Sequence, residues 1–518
     1  MSGEPWIVLG TTTTDAGEEV NVGLPLRDLR VHATVLGTTG SGKSTFLRNL
    51  AIQAFGLGAT VVVIEPHGDL VLHPKEGIIA GLPPQLLGQV VVVDLNSPWP
   101  PQINLCAAGL SAGRSVAVDT AMRCIQVAEE ASWGAAVRMR EMLEHGLHLL
   151  LSVLGRGASM VHLNRFLADA PFRQEILAKA GEDVAESRDF WKRMTEKQEA
   201  KKSSSSDEMD VPLRRVGKFL RDDRFRRSLA LPGLGNELKI APLLDSALPR
   251  MILVPLQAAV LGEEAKRVFG TLFMQMCVHA FLARTAADER RQTLIIIDEF
   301  ADLAGGAIGE LVKILLAQAR KFGASVVLAT QSIYQLPPDV KLEVRSNTNI
   351  KIILRIAGRD DAKEAALNLG DDRLSEGDLM NIERFHGYAK VMVHGSPQPP
   401  FYFASLPPVF LGDGASTASA PGDGEANENL PDPPDELQAI HRLARENPEQ
   451  AIRRLAQMSD REFAAILGAQ IAFGQQRARM LLADPDLEPD QVRRALKISR
   501  SQYGLPWWFY EAAYRRIR

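Results

Sequence analysis

The chain has 518 residues, of which 46% are hydrophobic and 24% are charged, and its formal net charge at pH 7 is −4. This balance is typical of a globular protein and gives the molecule no bulk attraction for nucleic acid, so any such binding must come from local patches. The three cysteines form no CxxC pair, which argues against a zinc site and a disulfide framework. No apolar run reaches the roughly 18 residues of a membrane span, and the N-terminus lacks a secretory signal. We therefore expect a cytoplasmic protein.

The first motif in chain order is a phosphate-binding loop. Residues 37–44 read GTTGSGKS, which fits G-x-x-x-x-G-K-[ST] without a gap. The apolar run 33–36 before it predicts a buried strand, and the apolar spacing over residues 45–55 predicts a helix. In that context the backbone N–H groups of the loop and the helix N-terminus would hold the phosphates of a nucleotide.

The loop assigns individual residues to nucleotide and metal. Lys43 would reach the β- and γ-phosphates of ATP, and the hydroxyl of Ser44 would ligate Mg²⁺. The predicted nucleotide-binding residues are consecutive in the sequence: Gly37, Thr38, Thr39, Gly40, Ser41, Gly42, Lys43, Ser44 and Thr45.

Short β-branched runs occur in two separated parts of the chain, at residues 60–64, 90–93, 251–254, 294–297, 325–328 and 350–354. Such runs suit a parallel sheet covered on both faces. The region between the two parts is helical in pattern, at residues 116–126, 135–154, 163–179, 184–200 and 213–221, with a polar tract at 201–208 that predicts a mobile loop.

The fold class is therefore α/β. One domain would consist of residues 1–110 and 244–410, with an all-α domain, residues 111–243, inserted into it. Residues 411–436 have the composition of a flexible linker, and residues 437–518 predict a C-terminal helical domain.

Two acids and one amide follow the predicted strands of the second half. Asp298 and Glu299 come directly after the apolar run LIII, where Asp298 would hold the Mg²⁺ shell and Glu299 would orient and deprotonate the attacking water. Gln331 follows the run SVVL, where it would approach the γ-phosphate; a loop-capping glutamine is the alternative interpretation.

Two arginines are candidates for neutralising the charge of the transition state. Arg320 ends the helix before the strand that carries Gln331, and Arg345 precedes the strand 350–354. If either acts as an arginine finger, it would act on a neighbouring subunit, which implies a ring. A solvated cation at a helix C-terminus is the alternative for Arg320.

Several motifs in order carry a resemblance over roughly residues 5–405: HATVLGTTGSGKST, VVVIEPHGDLV, VVVDLNSPWPPQINL, LIIIDEFADLA, AQARKFGASVVLATQS and SNTNIKIILRI. With these motifs the chain resembles the HerA/FtsK superfamily of ring-forming, DNA-translocating ATPases. Within it, the chain is similar to the soluble motor of type IV secretion coupling proteins.

The resemblance implies a RecA-like P-loop motor that forms a homo-oligomer, by expectation a hexamer. It also implies nucleotide and metal binding by Lys43 and Ser44, Mg²⁺ binding by Asp298, catalysis by Glu299, a γ-phosphate sensor at Gln331 and Arg320 as the favoured arginine finger. Such coupling proteins begin with transmembrane helices, whereas this sequence enters the motor almost at once. It would therefore dock to a membrane partner or be a cytosolic pump of another kind.

Three functions remain open at this point. The favoured one is a DNA-stimulated ATPase that grips DNA through its phosphates, independently of base sequence. Basic clusters for this grip are Arg214, Arg215, Lys218, Arg221, Arg224, Arg226 and Arg227 in the insert, and Arg493, Arg494, Lys497 and Arg500 in the tail. The alternatives are an ATPase that acts on a protein, and a nucleotide-dependent scaffold that docks through the aromatic residues 507–510.

Overall fold

The computed structural model describes most of the first 411 residues. The described ranges are 4–14, 16–73, 75–96, 100–128, 137–200, 206–222, 225–230, 238–284, 291–411, 439–440, 442–443 and 447–458, with residue 462. The chain divides into two compact units, one of residues 1–93, 240–266 and 277–424, and the other of residues 94–239, 267–276 and 425–518. The predicted domain boundaries stay a prediction.

The first unit is organised around an eleven-stranded sheet in the described residues. The thirteen strands described are β1 (Trp6–Thr13), β2 (Glu19–Pro25), β3 (Ala33–Leu36), β4 (Thr60–Glu65), β5 (Val90–Val92), β6 (Met251–Pro255), β7 (Thr293–Ile297), β8 (Ala324–Thr330), β9 (Ile350–Leu354), β10 (His386–Lys390), β11 (Met392–Val393), β12 (Ser396–Pro397) and β13 (Phe401–Ser405). Their order in the sheet is β2-β1-β13-β10-β9-β3-β8-β7-β4-β6-β5, and β11 pairs with β12 separately.

Seven neighbouring strands, from β9 to β5 in that order, are parallel. Every residue of β3, β4, β6, β7, β8 and β9 is buried. Continuous burial of this kind is expected of a parallel sheet with helices on both faces, and it explains why these strands read as unbroken apolar runs. The predicted α/β class and all six predicted runs, with the strand before the loop, are confirmed.

An antiparallel extension continues the sheet beyond β9. Strand β10 pairs with β9, β13 with β10, β1 with β13 and β2 with β1, all antiparallel. The register between β1 and β2 shifts between Val8 and Gly10. These four strands were not predicted from the sequence.

The helices of the first unit cover this sheet or connect its strands. Those described are Lys43–Gly56, Asp69–Leu72, Ile240–Leu244, Ala258–Leu261, Phe300–Leu303, Gly306–Gln318, Pro338–Asn347, Arg359–Leu369 and Glu376–Met380. A longer helix, Glu263–Leu282, has residues in both units.

The described part of the second unit is helical. Its helices are Arg114–Val127, Val137–Leu154, Met160–Ala168, Ala170–Lys179, Ala185–Ala200, Ser206–Arg221 and Pro448–Gln457. Trp191 is fully buried at its core, where its ring meets Phe166 edge-on with 4.9 Å between centroids. No helix among the residues described here is long and apolar enough to cross a membrane.

Two predictions for this helical region are corrected. The single helix predicted over 163–179 is two helices that meet at Asp169, because Asp169 caps the second helix by accepting from the Phe172 N–H and Pro171 cannot continue the first one. The tract 201–208 is not all loop, since a helix begins at Ser206. The tail cluster, the aromatic residues 507–510 and the predicted linker lie outside the described residues, apart from residue 411.

Candidate active site

The carboxyl ends of neighbouring parallel strands bring the predicted site residues together. The phosphate loop follows β3, Asp298 and Glu299 follow β7, and Gln331 follows β8, which lies between them in the sheet. Loops at this edge of a parallel sheet are where α/β proteins bind ligands. The order of the strands in the sheet therefore brings together residues that are about 250 to 290 positions apart in the sequence.

The backbone of the phosphate loop is fixed from both sides. The Gly37 N–H donates to the Thr330 carbonyl at the end of β8, and the Thr38 N–H donates to the Arg355 carbonyl just after β9. Gly40 and Gly42 have φ angles of 77° and 105°, which L side chains rarely adopt. Within the described residues, the N–H groups of Thr39, Gly40 and Gly42 have no hydrogen-bond acceptor in the protein. The loop therefore presents backbone donors in the way a phosphate site requires.

Lys43 is buried between the two acids. Its Nζ donates to Asp298 Oδ1 over 2.9 Å and to Glu299 Oε1. The Lys43 and Asp298 side chains are each 6% exposed, so this ion-pair cluster is shielded from solvent screening. The first turn of the helix that Lys43 begins contains no acid, which leaves its positive end available to an anion.

Gln331 connects the phosphate loop to the second acid. Its Nε2 donates to Glu299 Oε1 over 3.0 Å, and its Oε1 accepts from Thr39 Oγ1 over 3.2 Å. The Glu299 N–H in turn donates to Asp298 Oδ1 over 2.9 Å. The structure thus places Thr39, Lys43, Asp298, Glu299 and Gln331 in one hydrogen-bonded network.

The two candidate arginines lie at the opposite edge of the sheet. Arg320 is exposed in the turn Ala319–Phe322 just before β8 begins, whereas Gln331 follows its end. The seven residues of β8 span about 20 Å at the usual rise per residue. Arg345 lies in the last turn of the helix before β9, where its Nη1 is 3.6 Å from Oε1 of the buried Glu364. The structure therefore brings neither arginine to the phosphate loop of its own chain.

Glu65 is a site residue that sequence reasoning missed. It ends β4, the strand next to β7, and its side chain is almost fully buried. Its Oε1 accepts from the His67 N–H over 2.9 Å, and both carboxylate oxygens accept from the Gly68 N–H. Burial, and next the charge of Asp298, raise the pKa of Glu65 to about 7.

The position of Glu65 has a signal in the sequence. It is an acid at the end of an apolar run, as Asp298 is, and His67 and Asp69 two and four residues later are exposed. The carboxylate that holds this strand-end loop is therefore that of Glu65.

Comparisons with known proteins agree with this geometry. The family model of the type IV secretion-system coupling protein DNA-binding domain matches residues 246–381, and that of the helicase HerA central domain matches residues 7–96. The predicted resemblance to HerA/FtsK-type coupling motors is confirmed. No curated protein sequence matches the chain.

Several solved structures are similar to this chain at low sequence identity. VirB4 of Thermoanaerobacter pseudethanolicus is 15% identical, with a TM-score of 0.52 over 79% of this chain and 98% of that one. The bacterial conjugative coupling protein TrwB, truncated at its N-terminus, is 15% identical, with a TM-score of 0.49 over 79% of this chain and 92% of that one. A TrwB complex with ADP and Mg²⁺ is 18% identical, with a TM-score of 0.48 over 77% and 91%. The likeness to VirB4 supports a RecA-like P-loop fold with a helical domain.

Proposed function

We propose that this chain is an ATP-hydrolysing motor that moves DNA through a ring of identical subunits. The observation that carries the proposal is the network in which Lys43, Asp298, Glu299 and Gln331 meet at the mouth of the phosphate loop. A loop that only bound a nucleotide would not need a carboxylate and an amide held together beside it. The two family matches support the coupling-protein class, and the match over residues 246–381 supports DNA as the substrate.

The residues fit ATP with Mg²⁺. Asp298 Oδ1 accepts two hydrogen bonds, whereas its Oδ2 accepts none from the described residues, and the Ser44 side chain is exposed at the loop. A serine hydroxyl and a carboxylate, completed by phosphate oxygens and water, are the oxygen ligands that Mg²⁺ prefers. Bound there, Mg²⁺ would neutralise charge on the β- and γ-phosphates.

The chain's own residues then divide the remaining tasks. Lys43 leaves its two carboxylate partners for the phosphates, which frees Glu299 to orient the attacking water and accept its proton. Gln331, whose Nε2 already donates to Glu299, contacts the γ-phosphate and so couples its presence to the position of the loop after β8. The charge that develops on that phosphate requires a cation, and we assign it to Arg320 or Arg345 of the neighbouring subunit, because each lies across the sheet from its own site.

We assign DNA binding to the basic cluster of the insert, and to fewer of its residues than the sequence predicts. Lys218 Nζ donates to the Ala128 carbonyl, and Arg221 Nη2 donates to the Arg214 carbonyl. Arg214 and Arg221 are exposed, whereas Arg215, Lys218, Arg226 and Arg227 are half-buried. Arg214 and Arg221 are therefore the described residues best placed to meet phosphates.

The test is steady-state ATP hydrolysis by the full chain with no DNA, with single-stranded DNA and with duplex. We expect a several-fold rise with at least one form of DNA. In Glu299→Gln the rate should fall at least a hundredfold, as for removal of a general base, while a non-hydrolysable ATP analogue still binds. Asp302→Asn is the matched control, since Asp302 is an exposed acid three residues later. Hydrolysis that neither DNA changes would contradict DNA translocation and direct attention to a protein substrate.

A further inference from the structure

The turn after Gln331 is held by a carboxylate from another part of the first unit. Asp361 Oδ2 accepts from Ser332 Oγ over 2.7 Å, and Asp361 Oδ1 accepts from the Ile333 N–H over 2.9 Å and the Tyr334 N–H over 3.3 Å. Three donors from three consecutive residues therefore converge on one side chain. Hydrogen bonds to an ionised acceptor are the stronger kind, so this contact fixes the turn more firmly than a neutral cap would.

Gln331 is consequently fixed from both sides. The residue before it, Thr330, accepts from the Gly37 N–H of the phosphate loop, and the residue after it, Ser332, is held by Asp361. A glutamine on a free loop would sample several rotamers, and its amide would reach Glu299 in only some of them. Held in this way, it reaches Glu299 and Thr39 together.

Asp361 itself stands on a rigid element. It lies in the first turn of the Arg359–Leu369 helix, whose positive end favours a carboxylate there. That helix is anchored by a core that includes Ile353 of β9 and Ala362, Ala365 and Leu369 of the helix, and Ile333 of the same turn belongs to this core. The Arg359 Nε also donates to Glu376 Oε2 of the next helix over 2.7 Å.

From this geometry we infer that Asp361 is a positioning residue for hydrolysis, which sets the side chain of Gln331 and couples it to the helices Arg359–Leu369 and Glu376–Met380. The inference rests on the proposed function, because Gln331 needs a γ-phosphate to sense. Asp361 touches no reacting atom; it acts only through the turn that carries Gln331. A movement of either helix would therefore displace Gln331 relative to the γ-phosphate. Contact of Gln331 with the γ-phosphate would likewise shift the two helices.

The test compares the turnover of Asp361→Ala, Gln331→Ala and the double variant. In Asp361→Ala we expect kcat to fall ten- to hundredfold with KM for ATP changed less than about threefold, since a catalytic group misplaced by about 1 Å can cost about a hundredfold. The double variant should be no slower than Gln331→Ala alone, because two residues that act through one contact are not additive. If Asp361 only stabilised the fold, the two substitutions would lower kcat independently, and their effects would multiply in the double variant.

Two further variants control for folding and for charge. Asp360→Ala removes an exposed acid from the same helical turn, and it should leave kcat unchanged. Asp361→Asn keeps the volume and one acceptor oxygen, so it should fold as the wild type does and lie between the wild type and Asp361→Ala in kcat.

The outcomes separate this inference from the proposed function. Suppose that the wild type hydrolyses ATP, that the thermal unfolding curve shows Asp361→Ala to be folded, and that its kcat equals that of Asp360→Ala. The positioning role is then wrong, and the proposed motor function is unaffected. Multiplicative losses in the double variant would also overturn it. A wild type that binds ATP and hydrolyses none overturns the motor and the positioning role together, before any variant is compared.

Discussion

Glu299, to which we assign proton transfer, has a backbone conformation that is rare outside glycine. Its φ and ψ are 43° and 48°, in the left-handed region. Such a conformation costs about 1–2 kcal/mol for an L-residue, and here it lets the Glu299 N–H donate to Asp298 while the side chain turns towards Lys43 and Gln331. Local strain is thus present at the residue to which we assign proton transfer, as is common at functional sites.

His32 is a second strained residue, and it makes the stability depend on pH. It lies just before β3 with φ 57° and ψ 154°, and its Nδ1 accepts from the Val326 N–H over 3.0 Å. Burial lowers the pKa of His32 to about 4, with a smaller contribution from Arg320. The folded state therefore keeps this imidazole neutral where the unfolded state is protonated.

We predict that the free energy of unfolding falls as the pH drops from about 6.5 to about 4. The unfolded chain binds the extra proton in that window, so the loss from His32 reaches about 3 kcal/mol near pH 4. In His32→Asn, where Oδ1 can accept from Val326 without titrating, this part of the slope should disappear. The measurement is denaturant unfolding of both proteins at several pH values; parallel slopes would contradict the prediction.

At the scale of elements, the phosphate loop is supported by the antiparallel extension of the sheet. The Phe385 N–H donates to the Ser41 carbonyl over 3.0 Å, and the Phe385 carbonyl accepts from the Ser405 N–H at the end of β13. The Phe385 ring lies so close to Gly42 that a Cβ there would be 2.6 Å from Cδ1. The second loop glycine with positive φ, Gly40, has open space at that position.

These two glycines provide a matched pair of variants. Both alanine substitutions strain the backbone, but only Gly42→Ala also collides with Phe385, so we expect it to weaken binding of an ATP analogue about tenfold more than Gly40→Ala does. Adding Phe385→Ala to Gly42→Ala should recover most of that difference. Titration calorimetry measures the affinities. Equal losses in the two single variants would show that the Phe385 contact does not shape the loop.

The elements also show what a sequence can and cannot predict. Strands such as β4 and β7 are short, fully buried and mostly made of Val and Ile, so their local pattern identifies them. The antiparallel strands β1 and β2 are partly exposed, rich in Thr and Gly or charged at their ends, and lack that pattern. Motifs located the phosphate loop and Asp298–Glu299. The loop that Glu65 holds is local, but its proximity to Asp298 follows from strand order. The contact of Asp361 with the turn after Gln331 joins residues about 30 positions apart, which no local pattern contains.

At the scale of the whole molecule, we propose that the active sites are shared between subunits, because both arginines lie away from the phosphate loop of their own chain. If Arg320 completes a neighbour's site, then Lys43→Ala and Arg320→Ala chains, each inactive alone, should complement each other in mixed rings. An equal mixture should recover about a quarter of wild-type ATPase, the share of sites with both an intact Lys43 and an intact neighbouring Arg320.

The same mixing experiment with Arg345→Ala distinguishes the two candidates. Arg345 is paired with Glu364, which Lys341 Nζ also approaches to 2.5 Å, so it has a structural role available to it. Recovery with Arg320→Ala and not with Arg345→Ala identifies Arg320 as the residue acting between subunits. No recovery with either would place catalysis within a single chain.

The proposed movement of DNA by ATP hydrolysis can be measured as ATP-dependent displacement of a third strand from a duplex that carries a triplex at a distance from its free end. A motor that travels along DNA should release the third strand after a delay that lengthens with that distance. Glu299→Gln and a non-hydrolysable analogue should release none. Release that is absent while DNA still stimulates hydrolysis, or a delay that is independent of distance, would contradict translocation.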